Sequence, residues 1–305
     1  MATILITGGT GLIGRYFIKK LKDKGYSVAI LGRASHLNAD IPTYTWDIDK
    51  NEIEKEALES ADYIIHLAGA NIGDRRWTEK REKLIIDSRV NTGRLIFDKI
   101  ETNKNRLKAF ISASAIGYYG TITSDKIFSE TDPPSGDFLG ETCRQWEQLA
   151  DNFEKLGIRT VKIRTGVVLT HQGGALAKIR MPIKIGIGSA IGNGRQYMPW
   201  IHIDDLCGIY IKAIEDTKMK GAYNAIAPAH QTNRDFTKTL AHILNKPFWF
   251  PNIPGIVMKI ILGEMSAILL KGSRVSSEKI INAGYQFKFP DLESALVDLL
   301  DKNTK

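Results

Sequence analysis

The sequence predicts an α/β fold in which a doubly wound parallel sheet carries a smaller, mostly helical C-terminal lobe. Short apolar runs alternate with helical stretches through the first half of the chain, which is typical of parallel strands covered by helices on both faces. Three glycines follow the first apolar run and open the first helical stretch. The second half is less regular and mostly helical, which predicts the lobe.

The strands and helices of the first half are predicted from their periodicity. Each strand is a short run rich in aliphatic residues, and each helix has apolar residues at helical spacing. The predicted strands are residues 3–7, 27–31, 44–46, 63–69, 109–114 and 160–169. The predicted helices are residues 12–24, 52–60, 78–100 and 141–156. Gly25 and Gly157 follow the first and last of these helices as stop signals.

The second half begins with a glycine-rich stretch, residues 171–200, which predicts a loop with a short helix. The next helix, DDLCGIYIKAIED, starts with an aspartate that is a good N-cap. Residues 222–227 predict a strand that returns to the main sheet. Further helices are predicted near residues 234–245, 254–270, 276–283 and 291–302. We therefore predict a cofactor-binding domain of residues 1–170, completed by 201–227, and a substrate lobe of 171–200 and 228–305.

Composition and charge exclude several classes of protein. The 305 residues are 43% hydrophobic and 25% charged, as in ordinary globular proteins, and the net charge of +8 comes from basic residues interspersed with acidic ones. No nucleic-acid motif accompanies them. The most apolar stretch, IPGIVMKIILGEMSAILL, is interrupted by Lys259 and Glu264, which predicts an amphipathic packing helix. Cys143 and Cys207 have no metal-ligand spacing. We expect a cytoplasmic protein without metal, nucleic acid or membrane partners.

The segment ITGGTGLIGRYFIKKL places glycines at positions 8, 11 and 14, directly after the first strand. A side chain at Gly8 is expected to block the tight turn, one at Gly11 to push away a pyrophosphate, and one at Gly14 to hold the helix off the sheet. The helix N-terminus offers free N–H groups to phosphates. The alternative is a glycine-rich turn without a ligand, but the strand–turn–helix context favours a Rossmann-type dinucleotide site. The predicted contacts are Gly8, Thr10, Gly11, Leu12, Ile13 and Gly14.

The second strand decides which dinucleotide is predicted. It is followed by Gly32 and Arg33, with no acid to hold the ribose 2′-OH of NAD, whereas an arginine accommodates the 2′-phosphate of NADP. We predict NADP(H), although Arg33 has the alternative of a solvated loop charge. Asp47 is expected to accept from the adenine amino group, and residues 67–69 to pass beneath the adenosine ribose. The other predicted contacts of the cofactor are Arg33, Asp47, Leu67, Ala68, Gly69, Arg89 and Val168.

Longer motifs carry a family resemblance. TGGTGLIG, HLAGA, ISASAIGYYG and PWIHIDDL together resemble the extended and atypical short-chain dehydrogenase/reductase superfamily. WDID, IIDSRVNTGRLI, RTGVVL and GEMSAILLKGSRVSS resemble its YfcH-type branch, usually labelled epimerase-family protein. The resemblance covers essentially the whole chain. It implies a Rossmann fold, a nicotinamide cofactor and a Ser/Thr–Tyr–Lys site, in which the tyrosine exchanges a proton with the substrate oxygen and the lysine holds the nicotinamide ribose.

The stretch DFLGETCRQWEQL, residues 137–149, departs from this pattern. Aligned with the expected Tyr-x-x-x-Lys helix, it has Leu139 at the tyrosine position and Cys143 at the lysine position, and neighbouring registers supply no such pair either. One apolar stripe runs along this helix at the spacing i, i+4, i+7, i+11 and i+14. Its members are Leu139, Cys143, Trp146, Ala150 and Phe153. We therefore predict that the inner face of this helix packs.

Other residues are candidates for the missing chemistry. Ser114 is expected to orient a substrate oxygen, and Tyr118 or Tyr119 to supply a proton, with aromatic packing as the alternative for both tyrosines. Arg89 is expected to reach the cofactor or a substrate anion, or else to lie on a helix surface. Arg164 and His202 are candidate substrate contacts, and a positioning role is the alternative for His202. These candidates are Ser114, Tyr118, Tyr119, Arg89, Arg164 and His202.

Two functions follow from these residues. The first is an NADP-dependent oxidoreductase or nucleotide-sugar-epimerase-like enzyme that acts on a small polar substrate. The second is an NADPH-binding sensor without catalytic activity, which the missing tyrosine and lysine favour. The charged, glycine-rich segment 171–200 favours the first, because it is typical of a ligand site beyond the cofactor.

Overall fold

The structure is a computed structural model that describes residues 2–34, 41–102 and 106–301. Its strands are β1 (Thr3–Thr7), β2 (Ser27–Gly32), β3 (Thr43–Asp47), β4 (Glu52–Ile53), β5 (Tyr63–His66), β6 (Ala109–Ala115), β7 (Ile127–Phe128), β8 (Arg159–Thr165), β9 (Val167–Leu169), β10 (Trp200–His202), β11 (Gly221–Ala225) and β12 (Arg274–Val275). Its α-helices are α1 (Leu12–Asp23), α2 (Lys55–Glu59), α3 (Glu79–Glu101), α4 (Phe138–Lys155), α5 (Gly174–Lys184), α6 (Ile203–Glu215), α7 (Asn233–Ile243), α8 (Gly255–Leu262), α9 (Ala267–Leu270), α10 (Glu278–Asn282) and α11 (Leu292–Asp301). Two 3₁₀ turns lie at Ile116–Tyr119 and Gly263–Ser266.

The main sheet has eight strands in the order β11-β8-β6-β5-β1-β2-β3-β4. Neighbouring strands are parallel except for the antiparallel pair β3 and β4. The chain starts at β1 and winds outward in both directions, so the strand order reverses between β1 and β5 and leaves a crevice at their carboxyl ends. This is the predicted doubly wound Rossmann-type sheet. The predicted return of residues 222–227 is confirmed, because β11 pairs with β8.

Alternate residues of β1 face two separate cores, as the two-residue period of a strand requires. Ile4 and Ile6 belong to a core that is covered by α1, α6 and α11. Leu5 belongs to a second core, which is covered by α3 and α4. All three side chains are fully buried, and each contributes about 1.5–3 kcal/mol of hydrophobic stabilisation. The sheet is therefore covered by helices on both faces, which fixes its strand ends.

Three predicted elements are divided in the structure. Residues 160–169 form two strands, because the chain bends at Gly166, where a Cβ would collide with the backbone of a neighbouring loop. After the bend, β9 leaves the main sheet and pairs with β10. Residues 52–60 begin with the short strand β4 before α2. Residues 254–270 are interrupted because Gly263 adopts a φ of 60°, a left-handed value that ends α8.

Two helix starts also differ from the prediction. α4 begins three residues earlier than expected, because the carboxylate of Asp137 accepts the N–H of Gly140 at 2.9 Å and caps the helix. The expected N-cap of α6 was an aspartate. The observed N-cap is His202, whose Nδ1 accepts the N–H of Asp204 at 3.0 Å. A histidine serves as a cap here because the unprotonated nitrogen of a neutral imidazole accepts a backbone N–H, as a carboxylate or hydroxyl oxygen does.

The prediction of an amphipathic packing helix is wrong for α8, because none of its residues is buried. Within the described ranges, no helix combines the length and the apolar character needed to span a bilayer. The division of the chain into a cofactor domain and a substrate lobe stays a prediction.

Candidate functional site

The glycine turn between β1 and α1 lies directly on the end of β5. Gly8 has a φ of 70°, and a Cβ there would lie 2.8 Å from the carbonyl carbon and oxygen of Leu67. A Cβ at Gly14 would lie 2.4 Å from the Gly8 oxygen, so this glycine allows helix and turn to meet. A Cβ at Gly11 would meet only that same oxygen, at 3.2 Å. The space in front of Gly11 is therefore open to a ligand, whereas Gly8 and Gly14 serve the turn itself.

The first turn of α1 suits an anion. Gly11 is its N-cap and no side chain caps the helix, so its first N–H groups are free for a ligand. The first turn contains no acidic residue. The positive end of the helix dipole therefore faces Thr10 and the open space at Gly11 without competition from a carboxylate.

Arg33 and Asp47 lie at the ends of β2 and β3. Arg33 directly follows β2 and is exposed. The carboxylate of Asp47 accepts the N–H groups of Asp49 and Lys50, both at 3.1 Å, and these hydrogen bonds lower its pKa. Asp47 thus closes a local turn, and its contact with an adenine stays a prediction.

His66, the last residue of β5, joins three elements beneath the crevice. Its Nδ1 lies 2.9 Å from the hydroxyl of Thr7 in β1, and its Nε2 lies 3.2 Å from the carbonyl oxygen of Arg89 in α3. Because the carbonyl oxygen of Arg89 can only accept, Nε2 carries the ring proton and Nδ1 accepts a hydrogen bond from the Thr7 hydroxyl, which itself accepts the N–H of Ala68 at 3.1 Å. Complete burial lowers the pKa of His66 to about 4. A neutral histidine therefore fixes the strand end on which the glycine turn lies.

Arg89 projects from α3 towards the same strand end. Its Nη1 donates to the carbonyl of Ile85 at 2.7 Å and its Nη2 to that of Ala70 at 3.0 Å. Its guanidinium carbon lies 5.0 Å from the ring centroid of Trp146, and a Cβ at Gly69 would lie 3.0 Å from that carbon. Burial lowers its pKa. No carboxylate in the described part of the chain pairs with Arg89, so its charge is available to a ligand.

The predicted apolar stripe of α4 is buried, although Thr142 and Glu147 are buried on the same helix. The Leu139 side chain is 6% exposed and that of Cys143 is 4% exposed. The other members of the stripe, Trp146, Ala150 and Phe153, are also buried. A Cβ at Gly117 would lie 3.3 Å from the Leu139 Cβ and 3.7 Å from the Cys143 Sγ. Burial raises the pKa of the Cys143 thiol to about 12. The positions expected to hold a phenol and an ammonium therefore hold packed, uncharged side chains.

Five side chains form a buried polar network at the carboxyl ends of β6, β8 and β11. Ser114 donates to Glu147 at 2.7 Å, and Arg164 donates to both oxygens of the same carboxylate at 2.8 Å. Arg164 also donates to the hydroxyl of Tyr119 at 2.9 Å, which in turn donates to Asn224 at 2.7 Å. Ser114, Arg164 and Asn224 are register partners on adjacent strands, which places them in one row.

The buried polar network changes the interpretation of three predicted residues. Ser114, Tyr119 and Arg164 are each only 3% exposed. Burial raises the pKa of Tyr119 to about 12. Arg164 was expected to face a cleft, but its charge is already paired with Glu147. Although burial opposes it, this pairing leaves the pKa of Arg164 raised.

Tyr118 differs from its neighbour. It is partly exposed, and its ring centroid lies 3.5 Å from the guanidinium carbon of Arg164. Its ring meets that of Tyr119 edge to face at 5.6 Å. Among the described residues no hydrogen-bond partner of the Tyr118 hydroxyl is found. Of the three predicted hydroxyls, it is the one whose oxygen is free to meet a ligand.

Comparison with known proteins assigns the chain to a protein family. Residues 4–225 match the NAD dependent epimerase/dehydratase family. The chain belongs to this family. Residues 253–299 match DUF1731, a domain of unknown function.

Relatives align over the whole length of this epimerase-family chain. Epimerase family protein YfhF from Bacillus subtilis is 37% identical, with 99% of both chains covered. The crystal structure of human epimerase family protein SDR39U1 (isoform 2) with NADPH is 32% identical, with a TM-score of 0.88 and coverage of 98% of this chain and 99% of that one. The crystal structure of the nucleoside-diphosphate sugar epimerase from Corynebacterium glutamicum is 30% identical, with a TM-score of 0.80. The match covers 98% of this chain and 58% of that one.

Val168 lies in β9 and His202 is the last residue of β10, and these two strands pair with each other outside the main sheet. A Cβ at Gly174, which opens α5, would lie 3.1 Å from Leu12 and 4.0 Å from the Val168 oxygen. Val168 is therefore near the glycine turn. His202 is completely buried, caps α6, and its Nε2 lies 3.2 Å from Asp298. The structure gives His202 the positioning role that the sequence left as an alternative.

Sequence reasoning missed His66, Glu147 and Asn224. The signal for His66 was a titratable residue inside the apolar run YIIHLAG. Glu147 lies at the buried side of α4, next to Trp146 in the sequence. Asn224 interrupts the apolar strand AYNAIA. A polar residue inside an apolar strand needs a partner, and this criterion would have selected His66 and Asn224. Glu147 has polar neighbours throughout α4, so the sequence gives no such signal for it.

Proposed function

We propose that this epimerase-family protein binds NADP(H) in the crevice between β1 and β5 and acts as an oxidoreductase or nucleotide-sugar-epimerase-like enzyme on a small polar substrate. The glycine turn carries the proposal, because Gly8 packs on Leu67 and leaves open space at Gly11 before an uncapped helix. A close relative in sequence and shape, human SDR39U1, has a structure with NADPH, which supports the choice of cofactor.

The residues of the crevice fit NADP(H) as follows. The uncapped N-terminus of α1 would hold the pyrophosphate, and Arg33 would hold the 2′-phosphate. Arg89 would supply the cation that Cys143 does not, because its guanidinium lies beside Gly69 without a carboxylate partner. When bound, the nicotinamide ring supplies the hydride donor or acceptor.

The protein must also move a proton at the substrate oxygen while that atom gains or loses charge. We assign this role to Tyr118, whose hydroxyl is free while its ring rests on Arg164. The hydroxyls of Ser114 and Tyr119 donate hydrogen bonds to Glu147 and Asn224. We therefore assign Ser114 and Tyr119 the role of holding Arg164 beneath the Tyr118 ring. This assignment narrows the three predicted catalytic residues to one.

The second candidate is an NADPH-binding sensor without chemistry. The apolar face made by Leu139 and Cys143 favours it, because neither side chain can exchange a proton at neutral pH. In that case the free Tyr118 hydroxyl would be an aromatic surface position and nothing more.

Turnover of the Tyr118→Phe variant separates the two candidates. A panel of nucleotide sugars and small carbonyl compounds is first screened with NADPH or NADP⁺ for hydride transfer by the wild type. We expect Tyr118→Phe to lower turnover at least about tenfold and to leave NADPH affinity nearly unchanged. Tyr63→Phe is the matched control, because Tyr63 lies at the amino end of β5, away from the crevice at the carboxyl end of that strand. Equal turnover of Tyr118→Phe and wild type would remove Tyr118 from the mechanism, and NADPH binding without turnover on any compound would favour the sensor.

A further inference from the structure

Three segments in the second half of the chain expose most of the large apolar side chains that lie on the described surface. Nine of the fourteen large hydrophobic side chains that are exposed in the described residues belong to three segments: the end of α5 with the turn after it, residues 249–250, and α8. The nine are Met181, Ile185, Ile187, Trp249, Phe250, Ile256, Val257, Ile260 and Ile261. Five of them are at least 68% exposed: Met181, Ile185, Trp249, Ile256 and Ile260. Side chains that protrude this far are not the walls of a closed pocket.

The three segments are neighbours in space. Residues 189–192 run parallel to residues 251–253, with the Ile253 N–H donating to the Ala190 carbonyl at 2.9 Å. Ile187 and Trp249 precede these paired stretches, so they approach from the same end. The loop of residues 73–76 joins the outer helices, because Lys178 of α5 donates to the Gly73 carbonyl and Arg76 donates to the Ile261 carbonyl of α8. We call this set of exposed residues the apolar patch.

The charges within these segments are all of one sign. Residues 174–188 contain three basic residues, and residues 245–263 contain two; neither range contains an aspartate or a glutamate. Four of the five side chains are exposed and one is half-buried. The five are Lys178, Arg180, Lys184, Lys246 and Lys259. Cations beside exposed Ile, Met, Trp and Phe are typical of surfaces that lie in a membrane interface.

We propose that the apolar patch docks on the surface of an anionic lipid bilayer, with Trp249, Met181 of α5 and the isoleucines of α8 entering the interface. Charge selects this occupant. A second copy of the chain, joined by a two-fold axis, would bring the same cations against each other, whereas anionic headgroups neutralise them. The sequence predicted no membrane partner, because its most apolar stretch is interrupted by Lys259 and Glu264. The proposal departs from that expectation for the bilayer surface, since α8 is exposed.

Vesicle flotation tests the proposal with the full chain. We expect the protein to float with vesicles of phosphatidylglycerol and not with vesicles of phosphatidylcholine, and flotation to weaken as salt is added. The double variant Ile256→Asn/Ile260→Asn should bind at least about tenfold more weakly, and Lys259→Glu should bind more weakly too. Ile281→Asn and Lys220→Glu, both exposed outside the patch, are the matched controls and should bind like the wild type.

Three results would overturn the proposal. One is an absence of flotation with phosphatidylglycerol at low salt. Another is equal binding by the patch variants and their controls. The third is a dimer, seen by sedimentation velocity, that Ile260→Asn dissociates while vesicles are not bound, which would make the apolar patch a contact between copies. Because α8 has no buried residue, these variants leave the core intact and their folding can be verified by circular dichroism.

Discussion

We assign the preference for NADPH over NADH to Arg33. A charge-assisted bond between arginine and phosphate contributes about 1.5–3 kcal/mol. Arg33→Ala should therefore weaken NADPH binding roughly ten- to hundredfold and leave NADH binding nearly unchanged. Isothermal titration with both nucleotides measures this, with Lys22→Ala, exposed on α1, as the control. If NADPH and NADH bind equally well to the wild type, the assignment of Arg33 is wrong.

Glu147 is expected to be the main stabilising residue of the buried polar network, because it accepts hydrogen bonds from both Ser114 and Arg164. It is 5% exposed and neutralises a buried arginine, and removing one partner of such a pair typically costs about 3–5 kcal/mol. Glu147→Gln should lower the free energy of unfolding by about that amount, and Ser114→Ala by about 1 kcal/mol, as measured by urea denaturation. Loss of turnover in Ser114→Ala without loss of stability would contradict a positioning role and restore Ser114 as a catalytic residue.

At the residue scale, the sequence was sufficient where chemistry depends on local spacing. The turn glycines Gly8 and Gly14 and the apolar stripe of α4 were identified from neighbours within a few positions, whereas the role of Arg33 stays a prediction. The buried polar network was not identified, because Ser114, Glu147 and Arg164 are separated by 17 to 50 positions. Strand register joins Ser114 to Arg164, and the packing of α4 on the sheet brings Glu147 to both. Side chains that look free in a sequence are therefore paired in the fold.

The turn between β1 and α1 makes a prediction at the scale of an element. Gly14→Ala should destabilise the protein, because its Cβ would lie 2.4 Å from the Gly8 oxygen. Gly11→Ala meets that oxygen only at 3.2 Å, so its melting temperature should stay near that of the wild type while NADPH affinity falls at least about tenfold. Thermal denaturation and nucleotide titration of both variants test this contrast. Unchanged NADPH affinity in Gly11→Ala would place the pyrophosphate elsewhere.

Elements with strong periodicity were predicted well, and those governed by tertiary contacts were not. The parallel strands and long helices of the first half match, because burial on two faces leaves a clear apolar signal. The division of residues 160–169 at Gly166 was missed, because glycine is required there by the close backbone of Pro199, which is adjacent in space but far away in the sequence. α8 was predicted as a packing helix because an apolar helical sequence alone does not reveal what covers it.

The pH dependence of stability belongs to the whole molecule, and His66 contributes to it. Its folded pKa of about 4 lies below the unfolded value of 6.5. Below pH 6.5 the unfolded state takes up a proton that the folded state refuses until about pH 4, so stability falls across this window and the loss is constant below it. The full effect is about 3 kcal/mol. Comparison of unfolding free energies for wild type and His66→Gln should show a flatter profile for the variant between pH 4 and 6.5. Parallel profiles would contradict the assignment.

A crystal structure of the protein with NADPH tests the central claim most directly. We expect the pyrophosphate at the N-terminus of α1, the 2′-phosphate at Arg33, and a void beside the nicotinamide C4 with the Tyr118 hydroxyl within about 4 Å of it. A nicotinamide face sealed by Leu139 and Cys143, with Tyr118 directed away, would contradict an enzymatic role and leave the protein as an NADPH sensor.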